Sequence, residues 1–321
     1  MAGAALRQEL FSLNHPISFA ALTFPFASCL PALSPVKMVA TPFVNLKVLE
    51  AALPALTLRH AMASWKSPSH ENEDRALMHR GERFSVFAVM DGHGGDLASE
   101  YVKNNLVRVL DEQPELTKSS IAAAVATLET IFNKLASTAR DYSGACFVAL
   151  IVVEDGSARR FVVNVGDCRI SALEVSARGH PKRTIHALSN DHKASDPNEK
   201  RRILVAGGSV VSGRVAGVLA PSRSIGDIDM KVPGMEGWVI AEPEISEGTL
   251  CADSIYVLAT DGVWDVLSDD EVLDIAEETL RETDDGEAID DACQRACDAI
   301  AKEAIMRGSR DDITAVVVRT Q

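Results

Sequence analysis

The 321-residue chain predicts an α+β fold in which antiparallel β-sheets are covered by helices. Three observations lead there. Strand-length apolar runs come in pairs joined by short turns, the mark of hairpins. Stretches of helical periodicity come in pairs between them. Regular strand–helix–strand units are absent, and so are the GxxxxGK[ST] phosphate loop and the Rossmann glycine fingerprint.

The elements follow in order from about Leu58. LRHAMASW (58–65) reads as a strand. RALMH and FSVFAVM are two strands joined by the turn RGER. VKNNLVRVLDEQ and SSIAAAVATLETIFNKLAST carry a helical repeat. ACFVALIVV and RFVVNV form a second hairpin around EDGSA, and RISALEV follows. DHKASDPNEKRRI reads as a loop entering an exposed helix, with KRR either on its solvated face or a nuclear signal. SIYVLAT and ITAVVVR are two more buried strands. DEVLDIAEETLRE and EAIDDACQRACDAIAKEAIMRG are amphipathic helices. Thirteen carboxylates between Asp265 and Asp291 fit a solvated outer face.

Residues 1–57 are set apart as an N-terminal extension, and 58–321 as the folded domain. Residues 1–40 hold a single acid, Glu9, and the apolar run ISFAALTFPFASCLPALSPV. Pro25 and Pro31 interrupt that run, so it is too short and broken to span a membrane. Three readings stay open: a secretory or organellar targeting segment, a disordered extension, or a stretch bypassed by initiation at Met38. The domain itself is expected in the cytoplasm or nucleus, as a monomer without an integral membrane segment.

Composition narrows the chemistry. A net charge of −14 disfavours binding to a nucleic-acid backbone, which needs basic patches. The six cysteines, Cys29, Cys146, Cys168, Cys251, Cys293 and Cys297, are scattered. They suit packed thiols better than a disulfide framework or a zinc site.

The acids are placed with more meaning. Glu73 and Asp74 immediately precede one hairpin strand, and Asp91 immediately follows its partner. The start of one antiparallel strand and the end of the other share a sheet edge, so these carboxylates converge. Asp167 lies just past the second hairpin. Asp261 follows SIYVLAT, while Asp311 and Asp312 precede ITAVVVR; if those two strands pair antiparallel, these acids share an edge as well. Carboxylates gathered without basic partners repel, and hard divalent cations with oxygen ligands relieve that. Gly92 and Gly262 each follow an aspartate at a strand end, where a Cβ would obstruct a carbonyl facing an ion.

Eight motifs now stand in order: NED, VMDGHGGDLAS, NVGDCRISAL, NDHKASDPNEKRRILVAGGSV, GRVAGVLAPSRSIGD, AEPEIS, LATDGVWDVLSDDE and GSRDDITAVVV. Over residues 58–321 the chain resembles the PP2C-type metal-dependent serine/threonine protein phosphatases. The resemblance implies a four-layer sandwich of two antiparallel β-sheets flanked by helices, with two Mn²⁺ or Mg²⁺ ions at one end. It implies that Asp91 bridges both ions, that the Gly92 carbonyl ligates one, and that Asp261 and Asp311 complete the other. Glu73 and Asp74 would orient metal-bound waters. Asp167, with Asp261, matches a third, weaker ion of some members, and Asp265 lies near.

The implied reaction is in-line attack of an activated water on a phosphoserine or phosphothreonine of a protein substrate, with no phosphoenzyme. His93 is the implied general acid, and Gly94 and Gly95 allow the turn into the helix near Leu97. GDCRISA reads as a turn with an internal Arg169 contact, and PSRSIGD as a loop fixed by Arg223 and Asp227. Two departures matter. Ser69 stands where many members carry a phosphate-binding arginine, so Lys66 becomes the candidate phosphate contact. The loop after GDIDMK is short, which suggests a reduced flap beside the site. Two alternatives stay open: an inactive binding or regulatory module of the same fold, and a dinuclear hydrolase of another phosphoester.

Overall fold

A computed structural model describes residues 56–176, 182–282 and 289–321. The apolar run of residues 1–40 and nearly all of the extension lie outside the described residues.

The strand at 58–65 forms as expected (β1, Leu58–Trp65). The first hairpin follows as β2 (Arg75–Arg80) and β3 (Phe84–His93). The DGH triplet does not turn, as its glycine suggested; it continues β3. Asp91, Gly92 and His93 face Cys146, Ala145 and Gly144 across the ladder to β4 (Gly144–Val153). The turn comes at Gly94 and Gly95, both with positive φ (66° and 127°), the region glycine reaches without a Cβ penalty. Two helices intervene between β3 and β4, α1 (Leu97–Asp111) and α2 (Lys118–Ala139). Thr117 and Ser120 cap α2 reciprocally, a capping box.

β5 (Arg159–Val165) closes the second hairpin, and β6 (Arg169–Ser176) pairs with β7 (Lys182–Ala187). A small lobe follows: α3 (Pro197–Val205), β8 (Val210–Val211), β9 (Arg214–Val215) and β10 (Ile225–Gly226). It has its own apolar centre of Ala194, Ile203, Val215, Met230 and Val239. The chain ends with β11 (Glu244–Thr249), β12 (Ile255–Ala259), the short α4 (Asp261–Trp264), α5 (Asp269–Arg281), α6 (Ile289–Met306) and β13 (Ile313–Thr320).

The strands make two large antiparallel sheets. One runs β1-β13-β12-β6-β7; the other runs β11-β5-β4-β3-β2, with β10 added on β4. α5 and α6 cover the first sheet, and α1 and α2 the second. This is the four-layer sandwich. Period-two alternation explains the three cores. Along β3, Val86, Ala88 and Met90 face α1 and α2, while Phe87 and Val89 face the other sheet. Tyr256 and Leu258 of β12, and Val316 and Val318 of β13, answer them from across the sandwich.

Those inward rows position the site. Asp91 extends the row of Phe87 and Val89, and Asp74 the row of Ala76. Thr260 extends Tyr256 and Leu258, and Asp312 extends Val316 and Val318. Four oxygen-bearing side chains therefore end four apolar rows at one mouth between the sheets. β12 and β13 do pair antiparallel, which is what brings Asp261 and Asp311 to that mouth.

Candidate metal centre and active site

A cleft of about 260 Å³ opens at this mouth. Glu73, Asp91, Gly92, Asp167, Asp261 and Asp311 line it, together with His70, His93 and Arg214. Two glycines let the walls approach. A Cβ on Gly92 would stand 2.5 Å from the Glu73 carbonyl oxygen, and one on Gly262 would stand 1.9 Å from that of Asp312. Their purpose is therefore close backbone packing, which holds the acid-bearing segments together, rather than clearance for an ion.

Asp312 is structural. It is buried, and its two carboxylate oxygens accept from the backbone N–H of Ser67 (2.6 Å) and of Glu73 (2.7 Å). Glu73 is thus tied to the head of β13, and its carbonyl accepts from Ser99 Oγ at 2.5 Å. Asp74 lies beneath the cleft and accepts from Thr260 Oγ1 at 2.9 Å.

The electrostatics of the cluster are unfavourable as it stands. Burial, and then the charges of Asp261, Asp74, Asp167 and Asp311, push the Asp91 carboxyl well above the usual range. Burial, with Asp167, Asp265 and Asp311, does the same to Asp261. Burial raises Asp74 to about 7, against the pull of hydrogen bonds from Thr314 and Thr260. Burial also raises Asp167, whose Oδ2 is buried and has no hydrogen-bond partner.

The donors fit a hard cation. No three acidic, histidine or cysteine side chains among the described residues are close enough to enclose an ion by themselves. Mg²⁺ keeps several waters and takes only one or two carboxylates, which suits a wide, acidic, water-sized cleft with an orphaned buried oxygen.

His93 lines the cleft, and its Nε2 lies 2.9 Å from both carboxylate oxygens of Asp227. Burial lowers the imidazole, but the Asp227 hydrogen bond and charge, with Asp167 and Glu73, prevail and hold it above its ordinary value. Asp227 is itself buried, accepts from Ser224 Oγ, and sits at a positive φ of 49°. The sequence reading gave Asp227 to loop fixation and missed this pairing.

The other site residues are distributed unevenly. Lys66 is not brought to the cleft: it pairs with exposed Glu71 at 2.6 Å, because the loop after β1 turns it outward. Among the described residues Arg214 of β9 is the one lysine or arginine lining the cleft, with Nη1 donating to the Val218 carbonyl at 2.9 Å. Asp265 stands at the end of α4 and pairs with Lys193 at 2.5 Å. Arg169 makes the expected internal contact, a fork onto Asp191 (2.8 and 2.7 Å) stacked over Trp264. Arg223 and Arg202 both grip buried Glu199 of α3, whose carboxyl is lowered to about 2; burial opposes this, and the two guanidiniums and Ser222 win. No disulfide joins the five cysteines among the described residues.

Comparison with known proteins agrees with this architecture. The family model described as "Protein phosphatase 2C" matches residues 60–313. "Probable protein phosphatase 2C 59" of Oryza sativa subsp. japonica is 37% identical over 246 residues, covering 74% of this chain and 67% of that one. "Protein phosphatase 1A" of Homo sapiens is 30% identical over 285 residues, covering 81% and 70%. In fold, the crystal structure of serine-threonine phosphatase 2C from Toxoplasma gondii superposes with a TM-score of 0.67 at 23% identity, covering 82% of this chain and 95% of that one. The chain therefore belongs to the protein phosphatase 2C family, the metal-dependent serine/threonine protein phosphatases.

Proposed function

We propose that the cleft between the sheets hydrolyses phosphoserine and phosphothreonine in protein substrates by water attack at a centre of two divalent cations, Mn²⁺ or Mg²⁺. The observation carrying this is the convergence of Asp91, Asp167, Asp261 and Asp311 on one cleft, where burial raises the first three carboxyl groups and neighbouring cluster charges raise Asp91 and Asp261 further. Asp91, the Gly92 carbonyl, Asp261 and Asp311 would hold the ions, and Glu73 and Asp74 would orient their waters. Bound there, the cations supply an acidified water near neutral pH and neutralise charge on the phosphoryl oxygens.

The chain's own groups do the rest. The Asp227 carboxylate accepts from His93, so Nε2–H stays with Asp227 and fixes the tautomer. Nδ1 makes no hydrogen bond among the described residues. In the imidazolium, the Nδ1 proton is the one to deliver to the departing serine or threonine oxygen. Arg214 reaches the cleft with the guanidinium that Ser69 lacks, and it would bind phosphoryl oxygens.

The test is chelation. The full chain should release phosphate from a phosphothreonine peptide with Mn²⁺ or Mg²⁺ and stop on addition of EDTA. Undiminished turnover after chelation and dialysis would remove the metal mechanism. We also propose that residues 1–57 decide where the enzyme resides; imaging of a tagged chain with and without them should show two distributions.

A further inference from the structure

The acids assigned by resemblance to a third, weaker ion do not stand free in this chain. We propose that the ammonium of Lys193 stands where a third cation would bind among Asp167, Asp261 and Asp265, so that the centre closes at two divalent ions. This inference rests on the two-ion reading above.

The backbone places the lysine. His192 N–H donates to the Gly166 carbonyl (2.9 Å), and Gly166 N–H donates to His192 Nδ1 (3.2 Å). These bonds zip the GDCR turn to the DHK segment. The next residue on each side, Asp167 on one and Lys193 on the other, is thereby set beside its counterpart. The Arg169–Asp191 fork closes the same zipper from outside. On its other flank the DHK segment is pinned to the small lobe, with Ser222 N–H and Oγ donating to the His192 carbonyl and Ala194 N–H to that of Ala220.

The side chain then pairs directly with one of the acids. Lys193 Nζ lies 2.5 Å from Asp265 Oδ1, and it is only 28% exposed. Its positive charge favours the ionised forms of Asp167 and Asp261, the two acids that the resemblance assigns to the third ion. Asp167 Oδ2 is buried and makes no hydrogen bond, and the Lys193 charge favours its ionised form. An ammonium is a compact point charge with three donors on a flexible stem. Here one donor is used on Asp265, and the charge serves the other two acids. A third divalent ion could enter only by expelling Lys193 and breaking that pair.

The experiment counts ions on the full-length protein. Mn²⁺ bound per chain would be measured by equilibrium dialysis and by the loss of free-Mn²⁺ signal in electron paramagnetic resonance. Wild type should take up two. Lys193→Met, which keeps the stem and removes the charge, should take up a third, weaker ion, and Lys193→Met with Asp265→Asn should return to two. A third ion on wild type overturns the inference, as does a count of two on a Lys193→Met protein that melts cooperatively. If that variant does not fold, the wild-type count still decides. Uptake of no Mn²⁺ by wild type would instead overturn the two-ion reading, and the inference with it.

Discussion

Asp227 holds Nε2 of His93 between both of its carboxylate oxygens at 2.9 Å, although the two residues lie 134 positions apart. The pair fixes one ring nitrogen and keeps the imidazole protonated to higher pH than an ordinary histidine. Asp227→Asn should retain a polar contact but lose the charge. His93 then deprotonates at lower pH, and the alkaline limb of the phosphopeptide pH–rate profile should move down. Turnover of a phosphoserine peptide should fall about tenfold or more, since general acids contribute on the order of 100-fold. p-Nitrophenyl phosphate, whose leaving group needs little protonation, should be affected less. An unmoved pH profile with equal losses on both substrates would leave Asp227 a merely structural role.

The acid cluster makes the metal-free protein pH-sensitive in an uncommon direction. Asp74 is raised to about 7, and Asp91, Asp167 and Asp261 are raised as well. The folded state therefore holds protons that the unfolded chain releases. Stability is present at acid pH and is lost as pH rises through the raised values. His93, also raised, contributes with the same sign. Melting of the metal-free protein should fall from about pH 5.5 to about pH 8, by several degrees for a loss of a few kcal/mol. Mn²⁺ should restore it strongly at the higher pH and weakly at the lower, because the ion needs ionised ligands. Asp91→Asn should raise the metal-free melting temperature at pH 8 while abolishing the Mn²⁺ response. A melting curve that rises with pH over this range would contradict the cluster's electrostatics.

The acidic mouth was legible because hairpin polarity is local. A carboxylate before one strand and another after its partner must meet, and period two carries each inward row to its end. The four layers needed the resemblance, since nothing in β12 or β13 alone says which sheet it faces. β7 and β11 were passed over because KRTIHA and EISEGT are edge strands with too little apolar alternation. α3 was found, but its face was misjudged. Glu199 is buried, and Arg202 of the KRR run turns inward to it. The pairings of Asp227 with His93 and Lys193 with Asp265 join residues 134 and 72 positions apart, beyond any spacing rule.

Two glycines carry the walls of the site, and a third provides the control. At Gly262 an added Cβ would meet the Asp312 carbonyl oxygen at 1.9 Å, and at Gly92 the Glu73 carbonyl oxygen at 2.5 Å. Backbone atoms cannot swing aside, so Gly262→Ala and Gly92→Ala should displace Asp261 or Asp91. Both variants should lose Mn²⁺ binding and about 1–3 kcal/mol of stability, the range of overpacked cores. At Gly248 the nearest atom to an added Cβ is the Arg160 guanidinium carbon at 3.4 Å, an ordinary contact. Gly248→Ala should be within about 0.5 kcal/mol of wild type. Urea titration of the three variants, with and without Mn²⁺, reads both effects. Equal stability at Gly262 and Gly248 would show that the wall relaxes.

Phosphate recognition should follow Arg214 rather than Lys66. Arg214 lines the cleft with one guanidinium nitrogen already used on Val218, which leaves the rest of the fork for a ligand. Lys66 spends its charge on Glu71 outside the cleft. Arg214 is exposed, so its contact belongs at the low end of the about 1.5–3 kcal/mol of a charged hydrogen bond. Arg214→Ala should then raise KM for a phosphothreonine peptide about tenfold, with a smaller change in kcat and unchanged Mn²⁺ affinity. Arg214→Lys should fall between, because it keeps the charge and loses the fork. Lys66→Ala should leave KM within about twofold of wild type, because its ammonium is held by Glu71 away from the cleft. Ser69→Arg, which adds a guanidinium near the mouth, should lower KM in the Arg214→Ala background. If Arg214→Ala leaves KM unchanged while Lys66→Ala raises it, the loop after β1 must swing inward on substrate binding. If neither changes KM, the phosphoryl group is held by the metal centre alone.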